Sequence, residues 1–596
     1  MLTRLQRAAG EVGLAVVAAL VTAALHLLIV TLRRELFGGL HWDWNAREVA
    51  LMVPLGYLQV FLLCAIPLVL IAILRRSGTA LRWRAWFWST LVVFSVLLLF
   101  TRVYSLAWMA VALGAGYQTA VWAAAHSQQW TRAVRRIGIA LSLFFVVLGG
   151  ATIARRAATE RRLLAQRPAA APDAPNILLV IWDTVRAQNL SLYGYARATT
   201  PFLDSLAPHA VVFTHAYSTA PWTLPSHASM LTGQYANMQS GDWTTPLDGT
   251  HPTLPEALYA HGYTTGAFVA NIFAAGYQSG LHRGFVHYDD TKRSLAEAWW
   301  NTTLTQARAV RGPIERIKRE RWFGQAIKEF LSFDWRPFGV FQSHDMKFAE
   351  SITDSFLDWQ ASSSRPYFAM LNYMEAHVTQ AAPSANKFGN GKLRKDAYDG
   401  AVWWLDHELE RLVAELRRRG QLERTVLIVT SDHGELFGEH GLNAHGNSLY
   451  EQVLHVPLVI YAPQRLTGGV RIDRAVTLRD IARTVQDFAG LRSELLPGAS
   501  LALLARDSAS VTSPVIAHVS KEINRPPRNP IYWGNMSAML DDTLHVIRDG
   551  RGRIEAFAYR RDVNESDNIA RDPARKVLAE RLLDETLRRV AANGSH

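Results

Sequence analysis

Several positions far apart in the chain carry side chains that could together bind a metal ion and attack an ester. Thr223 lies in the segment WTLPSHASMLTG, residues 222–233, while Asp183 follows one apolar run and Asp432 with His433 follows another, TVLIVTS. Carboxylates and imidazoles are ligands that Zn²⁺ or Mn²⁺ accepts. A bound metal also activates a hydroxyl that is otherwise a weak nucleophile. Each position alone has a plainer explanation, because aspartates after strands often cap turns or helices.

The segments around these residues predict an α/β fold. NILLVIWDTVR, which contains Asp183, begins with a continuous apolar run typical of a strand buried on both faces of a parallel sheet. Helical patterns between the apolar runs, notably 398–419, indicate β and α elements in alternation. In open parallel sheets, ligands bind beyond the carboxyl ends of the strands, where Asp183, Asp432 and His433 are placed. The further strands are predicted at 266–270, 367–373, 425–430 and 457–462.

The first quarter of the chain is strongly apolar and predicts a membrane domain of about five helices. Several runs in succession, separated by short arginine-bearing loops, are atypical of a soluble protein, and most approach the ~20 residues that a helix needs to cross a bilayer. The first run is longer than the core of a removable signal peptide. The predicted spans are 13–32, 50–74, 86–101, 106–125 and 137–154.

The distribution of arginines predicts the orientation of these spans. Arg4 and Arg7 precede the first span, and the loops after the second and fourth spans are also rich in arginine. By the positive-inside rule, the amino terminus is cytoplasmic and an odd number of spans exports the remaining chain. Arg155 and Arg156 oppose this assignment, but large domains are exported largely regardless of nearby charge.

The net charge and the cysteine content of the chain limit the partners and the chemistry that we expect. The formal net charge of +12 could suggest nucleic acid, but the arginines lie mostly at membrane edges, where anionic lipid headgroups explain them better. We therefore expect no nucleic acid partner. Cys64, the single cysteine, lies in the second predicted span, so the exported domain has no disulfide framework and no thiol nucleophile.

The changes in composition divide the chain into consecutive parts. A transmembrane domain occupies 1–156, and an Ala, Pro and Arg-rich linker occupies 157–174. The catalytic domain begins at 175 and extends to 490, with a Trp, Arg and Lys-rich helical insertion near 290–360 that could cover the site or touch the bilayer. We assign 491–596 to the C-terminal part of the catalytic domain.

Four segments of the chain match a known family in type, order and spacing. They are NILLVIWDTVRAQNLSLYGYARATTPFLDSLA, APWTLPSHASMLTG, LNYMEAH and SDHGELFGEHGLNAHGNSLYEQVLHVPLVIYAP. The chain from about 175 to 572 resembles the sulfatase branch of the alkaline phosphatase superfamily, which includes phosphodiesterases, lipoteichoic acid synthases and phosphoethanolamine transferases. The resemblance implies a mostly parallel sheet flanked by helices, preceded here by the membrane helices.

The resemblance also implies roles for particular residues. In the threonine-using members, the positions matching Asp183, Thr223, Asp432 and His433 bind the catalytic metal, and the threonine is the nucleophile. His377 and His445 match histidines near the phosphoryl group, although each could be a purely structural loop histidine. Two further residues, Asn271 and His227, are candidates for contacting substrate, and the alternative for Asn271 is a turn amide.

Departures from the sulfatase pattern favour a phosphate ester over a sulfate ester as the substrate. Sulfatases carry Cys or Ser at the Thr223 position, convert it to formylglycine, and follow it with Pro-Ser-Arg. This chain has Thr223, Pro225, Ser226 and His227. Sulfatases also commonly pair two aspartates at the end of the first strand, whereas here Trp182 precedes Asp183.

We therefore expect a metal-dependent phosphotransferase or phosphodiesterase that forms a phosphothreonine at Thr223. Zn²⁺ or Mn²⁺ fits the ligands better than Ca²⁺ or Mg²⁺. The expected donor is a phosphoester such as a phospholipid, the acceptor is water, a lipid or an envelope glycan, and the place is the outer side of a bacterial cytoplasmic membrane. The alternatives are an anchored phosphodiesterase or phosphonate ester hydrolase, an aryl sulfatase-like hydrolase, and a non-catalytic membrane scaffold.

Overall fold

The chain divides into two compact units in the computed structural model. The first comprises Met1–Thr159 with Lys292–Asp345, and the second comprises Glu160–Thr291 with Met346–His596. Much of the predicted insertion at 290–360 lies outside the described residues. The structure describes residues 2–37, 49–74, 80–100, 103–290, 298–299, 302–306, 347–363, 366–379, 382–390, 393–491, 496–522 and 525–593.

The first unit contains a helix at each of the five predicted apolar runs, but only three of the described helices are long and apolar enough to span a membrane. These three cover Arg4–Arg33, Val49–Leu74 and Ser127–Gln166. The prediction of five spans is therefore corrected to three candidates. The helices are α1 Leu2–Phe37, α2 Val49–Leu74, α3 Leu81–Leu97, α4 Ser105–Ala125 and α5 Ser127–Gln166.

Local sequence explains why α3 and α4 fall short. Helix α3 has 17 residues and contains Arg82 and Arg84 in its first turn, so its apolar part is shorter than the ~20 residues that a span needs. Helix α4 is built largely from alanine and glycine and includes Gln118 and Thr119, which lowers its hydropathy. Helix α5 runs to Gln166 and so extends into the range 157–174 that was predicted as a linker.

The described start of the insertion packs against the membrane helices of its own unit. Thr303, in a short helix at Thr303–Gln306, donates to the Ser95 carbonyl over 2.7 Å, and its hydroxyl lies 2.9 Å from the Tyr57 hydroxyl. Gly56 permits this approach, because a Cβ there would lie 1.9 Å from the Ala298 carbonyl oxygen.

The second unit is built on an eight-stranded sheet with the order β10-β2-β9-β6-β1-β5-β3-β4. Among its strands only β9 runs antiparallel to its neighbours, β6 and β2. All five predicted strands are present, and β2, β4 and β10 were missed because they are short or interrupted by polar residues. The strands of this unit are β1 Asn176–Trp182, β2 Val211–Tyr217, β3 Thr264–Val269, β4 His287–Asp289, β5 Tyr367–Tyr373, β6 Thr425–Thr430, β7 Leu436–Phe437, β8 Asn443–Ala444, β9 His455–Tyr461, β10 Val470–Thr477, β11 Val515–Val519, β12 Met536–Leu540, β13 His545–Arg548 and β14 Ile554–Phe557.

Helices cover this sheet and bury its central strands completely. Every residue of β1, β5 and β6 is buried, as expected for parallel strands packed on both faces. The predicted helix at 398–419 is present as Arg394–Arg418. The helices of this unit are α6 Pro201–Leu206, α7 Thr223–Thr232, α8 Leu254–Ala260, α9 Ala349–Ala361, α10 Arg394–Arg418, α11 Glu451–Leu454, α12 Asp480–Phe488, α13 Leu501–Arg506 and α14 Pro573–Asn593.

The C-terminal part of the second unit forms a separate antiparallel sheet of four strands with the order β11-β12-β13-β14. Helix α14 packs on it through a small apolar cluster that includes Val546, Ala556 and Leu583. A ribbon of β7 and β8 projects from the loop after β6. This loop carries several of the predicted site residues.

Candidate active site

The predicted site residues meet at the carboxyl ends of the central strands. Asp183 follows β1 and Asp432 follows β6, and these two strands are parallel neighbours with Ile181 paired to Thr430. On the other side of β1, Ile181 pairs with Asn372 of β5. Because parallel strands end at the same edge of a sheet, residues from distant parts of the chain converge there.

Each aspartate has one oxygen held by donors and the other without a hydrogen-bond partner among the described residues. Asp183 Oδ2 accepts from Asn271 Nδ2 over 2.9 Å and from Asn372 Nδ2 over 3.3 Å, which leaves Oδ1 unpartnered. Asp432 Oδ1 accepts from the backbone N–H groups of Thr184 and His433, which leaves Oδ2 unpartnered. Both side chains are fully buried. A buried carboxylate oxygen without a donor is costly unless a cation faces it.

The imidazole of His433 completes a ligand set for a divalent cation. One ligand atom from each of Asp183, Asp432 and His433 lies within 4.8 Å of the others. His433 Nδ1 faces the Gly434 carbonyl over 3.0 Å, so Nε2 is the atom left for the site. Burial, followed by the proximity of His445, lowers the pKa of His433 to about 3, and a neutral imidazole is the form that binds metal. The residues therefore fit the metal ion that the sequence predicts.

Thr223 is the first residue of α7 and faces this ligand set. Its Oγ1 lies 3.4 Å from His433 Nε2 and accepts from Asn271 Nδ2 over 3.2 Å. Ser226, one turn along, donates to the Asp432 carbonyl over 2.7 Å and so fixes the helix against the loop. The N-terminus of a helix favours negative charge, as a developing alkoxide or a phosphoryl group would carry.

The two candidate substrate residues occupy different places. Asn271 contacts both Asp183 and Thr223, and its Oδ1 also accepts from the Ala274 backbone N–H. It therefore lies in the site and also stabilises the turn after β3. His227 is fully buried behind Thr223, with Nδ1 bonded to the Thr223 carbonyl over 3.0 Å and 3.6 Å from Asp432 Oδ2. His227 therefore lies beneath Thr223 and beside the candidate metal position.

His377 and His445 form the half-buried side of the site. Their ring centroids are 5.0 Å apart, and the His445 ring lies 4.5 Å from that of His433. Burial, followed by the charge of His445, lowers the pKa of His377, which therefore stays neutral at physiological pH. The described structure thus brings together every site residue that the sequence predicted.

Glu435 controls the protonation of His445. Its Oε2 lies 3.2 Å from His445 Nδ1, and its Oε1 lies 3.1 Å from an Arg394 guanidinium nitrogen. Burial opposes charge on His445, but the hydrogen bond and charge of Glu435 outweigh it and raise the pKa of His445 above its ordinary value. Glu435 stays ionised because His445 and Arg394 more than offset its own burial, so its pKa is lowered. A raised pKa at His445 beside a lowered pKa at His377 is suited to acid and base roles.

Sequence reasoning missed several residues that hold this arrangement. Asn372 lies within the predicted strand 367–373, and its polar side chain in an otherwise apolar run was the available signal. Glu435 was hidden in a loop with several acidic residues. Arg186 is buried and donates to the Glu435 carbonyl and to the Glu439 carboxylate, which joins the loop after β1 to the loop after β6. Trp222, which directly precedes Thr223, stacks on Trp243 with ring centroids 4.1 Å apart and an interplanar angle of 3°.

Comparison with known proteins places the chain in a family. The family model for sulfatases matches residues 175–491, more than half of the chain. The chain belongs to the sulfatase family. The match places it within the alkaline phosphatase and sulfatase superfamily, whose members bind a divalent metal. The Asp183, Asp432 and His433 group provides a candidate metal site in this sulfatase family member.

Named relatives of this sulfatase family member are about a quarter identical to it over the aligned residues. It is 24% identical to bovine (Bos taurus) arylsulfatase K over 375 residues, which cover 54% of this chain and 63% of that protein. Against human (Homo sapiens) arylsulfatase K the identity is 25% over 380 residues, 57% of this chain and 66% of that protein. The chain thus spans less than two thirds of the length of each of these two relatives.

Solved structures confirm the fold of the sulfatase domain. The phosphonate monoester hydrolase of Agrobacterium radiobacter superimposes with a TM-score of 0.51 at 18% identity, and the match covers 70% of this chain and 96% of that one. The phosphonate monoester hydrolase of Silicibacter pomeroyi gives 0.50 at 21% identity, with 70% and 96% coverage. The predicted α/β sulfatase-like fold with a mostly parallel sheet is confirmed.

Proposed function

We propose that this sulfatase family member is a metal-dependent phosphoester hydrolase or transferase with Thr223 as its nucleophile. The observation that carries the proposal is the position of Thr223 Oγ1, 3.4 Å from His433 Nε2 at the first residue of α7. A divalent cation held by Asp183, Asp432 and His433 would lower the pKa of the Thr223 hydroxyl and neutralise charge on the ester. Among divalent cations, Zn²⁺ or Mn²⁺ suits this mixed set of carboxylates and imidazole.

The identity of the side chain at position 223 supports phosphoryl transfer over sulfate hydrolysis. Formylglycine is an aldehyde made from cysteine or serine, whereas oxidation of a threonine side chain would give a ketone. The nucleophile of this chain is therefore the hydroxyl itself. The buried His227 also replaces the arginine of the sulfatase Pro-Ser-Arg pattern.

The proposed reaction has two displacement steps. Thr223 Oγ1 passes its proton to neutral His377 and attacks phosphorus, a new P–O bond forms, and the bond to the leaving alcohol breaks as protonated His445 donates a proton to the leaving oxygen. Water or an acceptor hydroxyl then attacks the phosphothreonine and gives its proton to His445, which is neutral at this stage. The P–Oγ1 bond breaks as His377 returns its proton to Thr223, so both histidines end in their starting forms. The opposite pKa shifts of the two histidines support this division of roles.

The apolar helices support a lipid as the phosphoester donor. A catalytic unit on a chain with three candidate membrane spans would meet membrane lipids at high effective concentration. We propose a phospholipid headgroup as the donor, water or a lipid or glycan hydroxyl as the acceptor, and the outer face of a bacterial cytoplasmic membrane as the location. This resembles the setting of lipoteichoic acid synthases and phosphoethanolamine transferases.

A sulfuric ester hydrolase is the second candidate. The names of the relatives favour it, because bovine and human arylsulfatase K match more than half of the chain. These relatives support a sulfate ester substrate at least as strongly as a phosphoester. The preference for a phosphoester therefore depends on the threonine at position 223.

The test compares substrates and the Thr223→Val variant, which removes the hydroxyl but keeps the shape of the side chain. The full chain is purified in detergent, supplied with Zn²⁺ or Mn²⁺, and assayed with bis-p-nitrophenyl phosphate, p-nitrophenyl sulfate and phospholipid vesicles. We expect the phosphodiester to be cleaved, a phosphate adduct on the Thr223 peptide after acid quench, and a loss of about 100-fold or more in kcat for Thr223→Val.

Thr223→Ser is the matched control because it retains a hydroxyl and should retain part of the turnover. Unchanged phosphodiester cleavage by Thr223→Val would contradict the proposed nucleophile. Faster turnover of the aryl sulfate than of the phosphodiester would favour the sulfatase alternative. Lipid mass spectrometry of cells with and without the enzyme then identifies donor and acceptor.

A further inference from the structure

A second cluster of buried ionisable side chains lies between the two large sheets of the catalytic unit. Glu451 belongs to α11, directly before β9 of the eight-stranded sheet, while His545 begins β13 and Glu565 follows β14 of the four-stranded sheet. Their exposed fractions are 1%, 0% and 2%. One ligand atom from each lies within 4.8 Å of the others. The predicted function uses none of these three residues.

The contacts within the cluster satisfy only some of its polar atoms. Glu565 Oε2 accepts from the Glu451 backbone N–H over 2.8 Å, and Glu565 Oε1 is bonded to His545 Nδ1. Glu451 Oε1 lies 3.1 Å from His455 Nδ1 and accepts from the Tyr217 hydroxyl over 3.2 Å. Glu451 Oε2 and His545 Nε2 have no hydrogen-bond partner among the described residues. Buried polar atoms left in this way call for an ion or a water.

The charge of the cluster favours a cation. It contains two carboxylates, and no lysine or arginine in the described part of the chain forms an ion pair with either of them. Protons on His455 and His545 could compensate this charge, but they would leave the two unpartnered atoms unexplained. A divalent cation would compensate both carboxylates and give the buried Glu451 Oε2 a partner.

We propose that Glu451, His545 and Glu565 bind a structural divalent transition metal ion, with Zn²⁺ the best match, separate from the ion proposed beside Thr223. Carboxylate oxygen and imidazole nitrogen are both common zinc ligands. The three side chains supply three donors, and a water completes the four that zinc usually takes. This proposal does not depend on the substrate of the enzyme.

The position of the site suggests what the ion would stabilise. Glu451 lies immediately after the loop that carries Asp432, His433 and His445. An ion bound to Glu451 would therefore join the end of this catalytic loop to the four-stranded sheet. A metal ion that binds the folded chain but not the unfolded chain adds directly to the stability of the folded state.

The test measures bound metal in full-length protein whose catalytic ligands have been removed. The double variant Asp183→Asn/Asp432→Asn is purified in detergent, incubated with excess Zn²⁺, desalted and analysed by mass spectrometry for metals. We expect about one zinc per chain, and its loss when His545→Gln or Glu565→Gln is added. His287→Gln is the matched control, because His287 forms an ion pair with Glu160 that involves no second carboxylate, and it should retain the zinc.

A thermal readout keeps the test decisive where an added variant fails to fold. In the double variant alone, EDTA should lower Tm by several degrees, and Zn²⁺ should restore it. The absence of bound zinc together with an unchanged Tm in EDTA would overturn the proposal, as would zinc that persists in both His545→Gln and Glu565→Gln. Either result would identify the cluster as hydrogen-bonded His–Glu pairs and would leave the proposed role of Thr223 unaffected.

Discussion

At the scale of single residues, each site aspartate is oriented by donors that hold one oxygen and leave the other unpartnered. Asn271 and Asn372 do this for Asp183, while the backbone of Thr184 and His433 does it for Asp432. Such outer hydrogen bonds fix ligand geometry before the metal arrives, which lowers the cost of organising the site on binding.

The protonation of His445 gives a prediction at this scale. Glu435 raises the pKa of His445, so the protonated form persists to higher pH and is lost as pH rises through that raised value. If His445 donates the proton to the leaving group, Glu435→Gln should move the alkaline limb of the kcat profile to lower pH and reduce kcat most strongly at alkaline pH. The measurement is kcat against pH with a phosphodiester.

Glu439→Gln is the control for this profile, since Glu439 lies in the same loop but pairs with Arg186. Its alkaline limb should stay where that of the wild type lies. An unshifted limb in Glu435→Gln would show that His445 is not the group that titrates there.

At the scale of elements, two loops from neighbouring strands are tied together by one arginine. Arg186, after β1, donates through Nη1 to the Glu435 carbonyl over 3.0 Å and to Glu439 Oε1 over 2.9 Å. Its Nε donates to Asn189 Oδ1 over 2.6 Å. The guanidinium also lies 4.9 Å from the centre of the Phe437 ring. This buried side chain thus helps to hold the loop that carries His445, together with the Thr184 backbone N–H that donates to Asp432.

Arg186→Lys should loosen this loop. Lysine keeps the charge but lacks the planar fork that contacts several acceptors at once, so buried acceptors lose donors at a cost of about 1–3 kcal/mol. We expect a lower Tm in thermal unfolding and a lower kcat/KM. Arg589→Lys, on the exposed face of α14, is the control and should leave both unchanged. A wild-type Tm in Arg186→Lys would contradict this role.

At the scale of the whole molecule, three helices long and apolar enough to span a bilayer share a chain with a sulfatase domain. Long apolar helices are costly to expose to water, whereas the catalytic unit buries its own core between sheet and helices. We therefore expect the full chain to remain with membranes during alkaline carbonate extraction.

The side of the membrane can be tested with one introduced thiol. Val511 lies in the catalytic unit and is 84% exposed, and Cys64 is the single native cysteine. In Cys64→Ser/Val511→Cys, a membrane-impermeant maleimide should label the protein in intact spheroplasts to the same extent as after lysis. The Cys64→Ser variant is the control without a thiol. Labelling that requires lysis would place the catalytic unit on the cytoplasmic side.

The sequence by itself determined the family and the central strands, and it predicted the candidate site residues. Apolar runs such as NILLVIW predict buried strands, and the rule that parallel strands end at one edge brings Asp183 and Asp432 together. Thr223 stood out because the segments around it match a family pattern. Such features are local, or follow from a simple rule of topology, and can be inferred without coordinates.

Only the tertiary structure showed which contacts hold the site residues in place. It also showed which of the apolar runs fall short of a membrane span. Asn372 and Arg186 act through partners that are distant in sequence, and Glu435 pairs with Arg394 as well as with the nearby His445. A single sequence does not show which of these groups pair. The cluster of Glu451, His545 and Glu565 is likewise assembled from two sheets. In the membrane domain, helix boundaries reduced five predicted spans to three candidates, because a span requires both length and continuous apolarity within one helix.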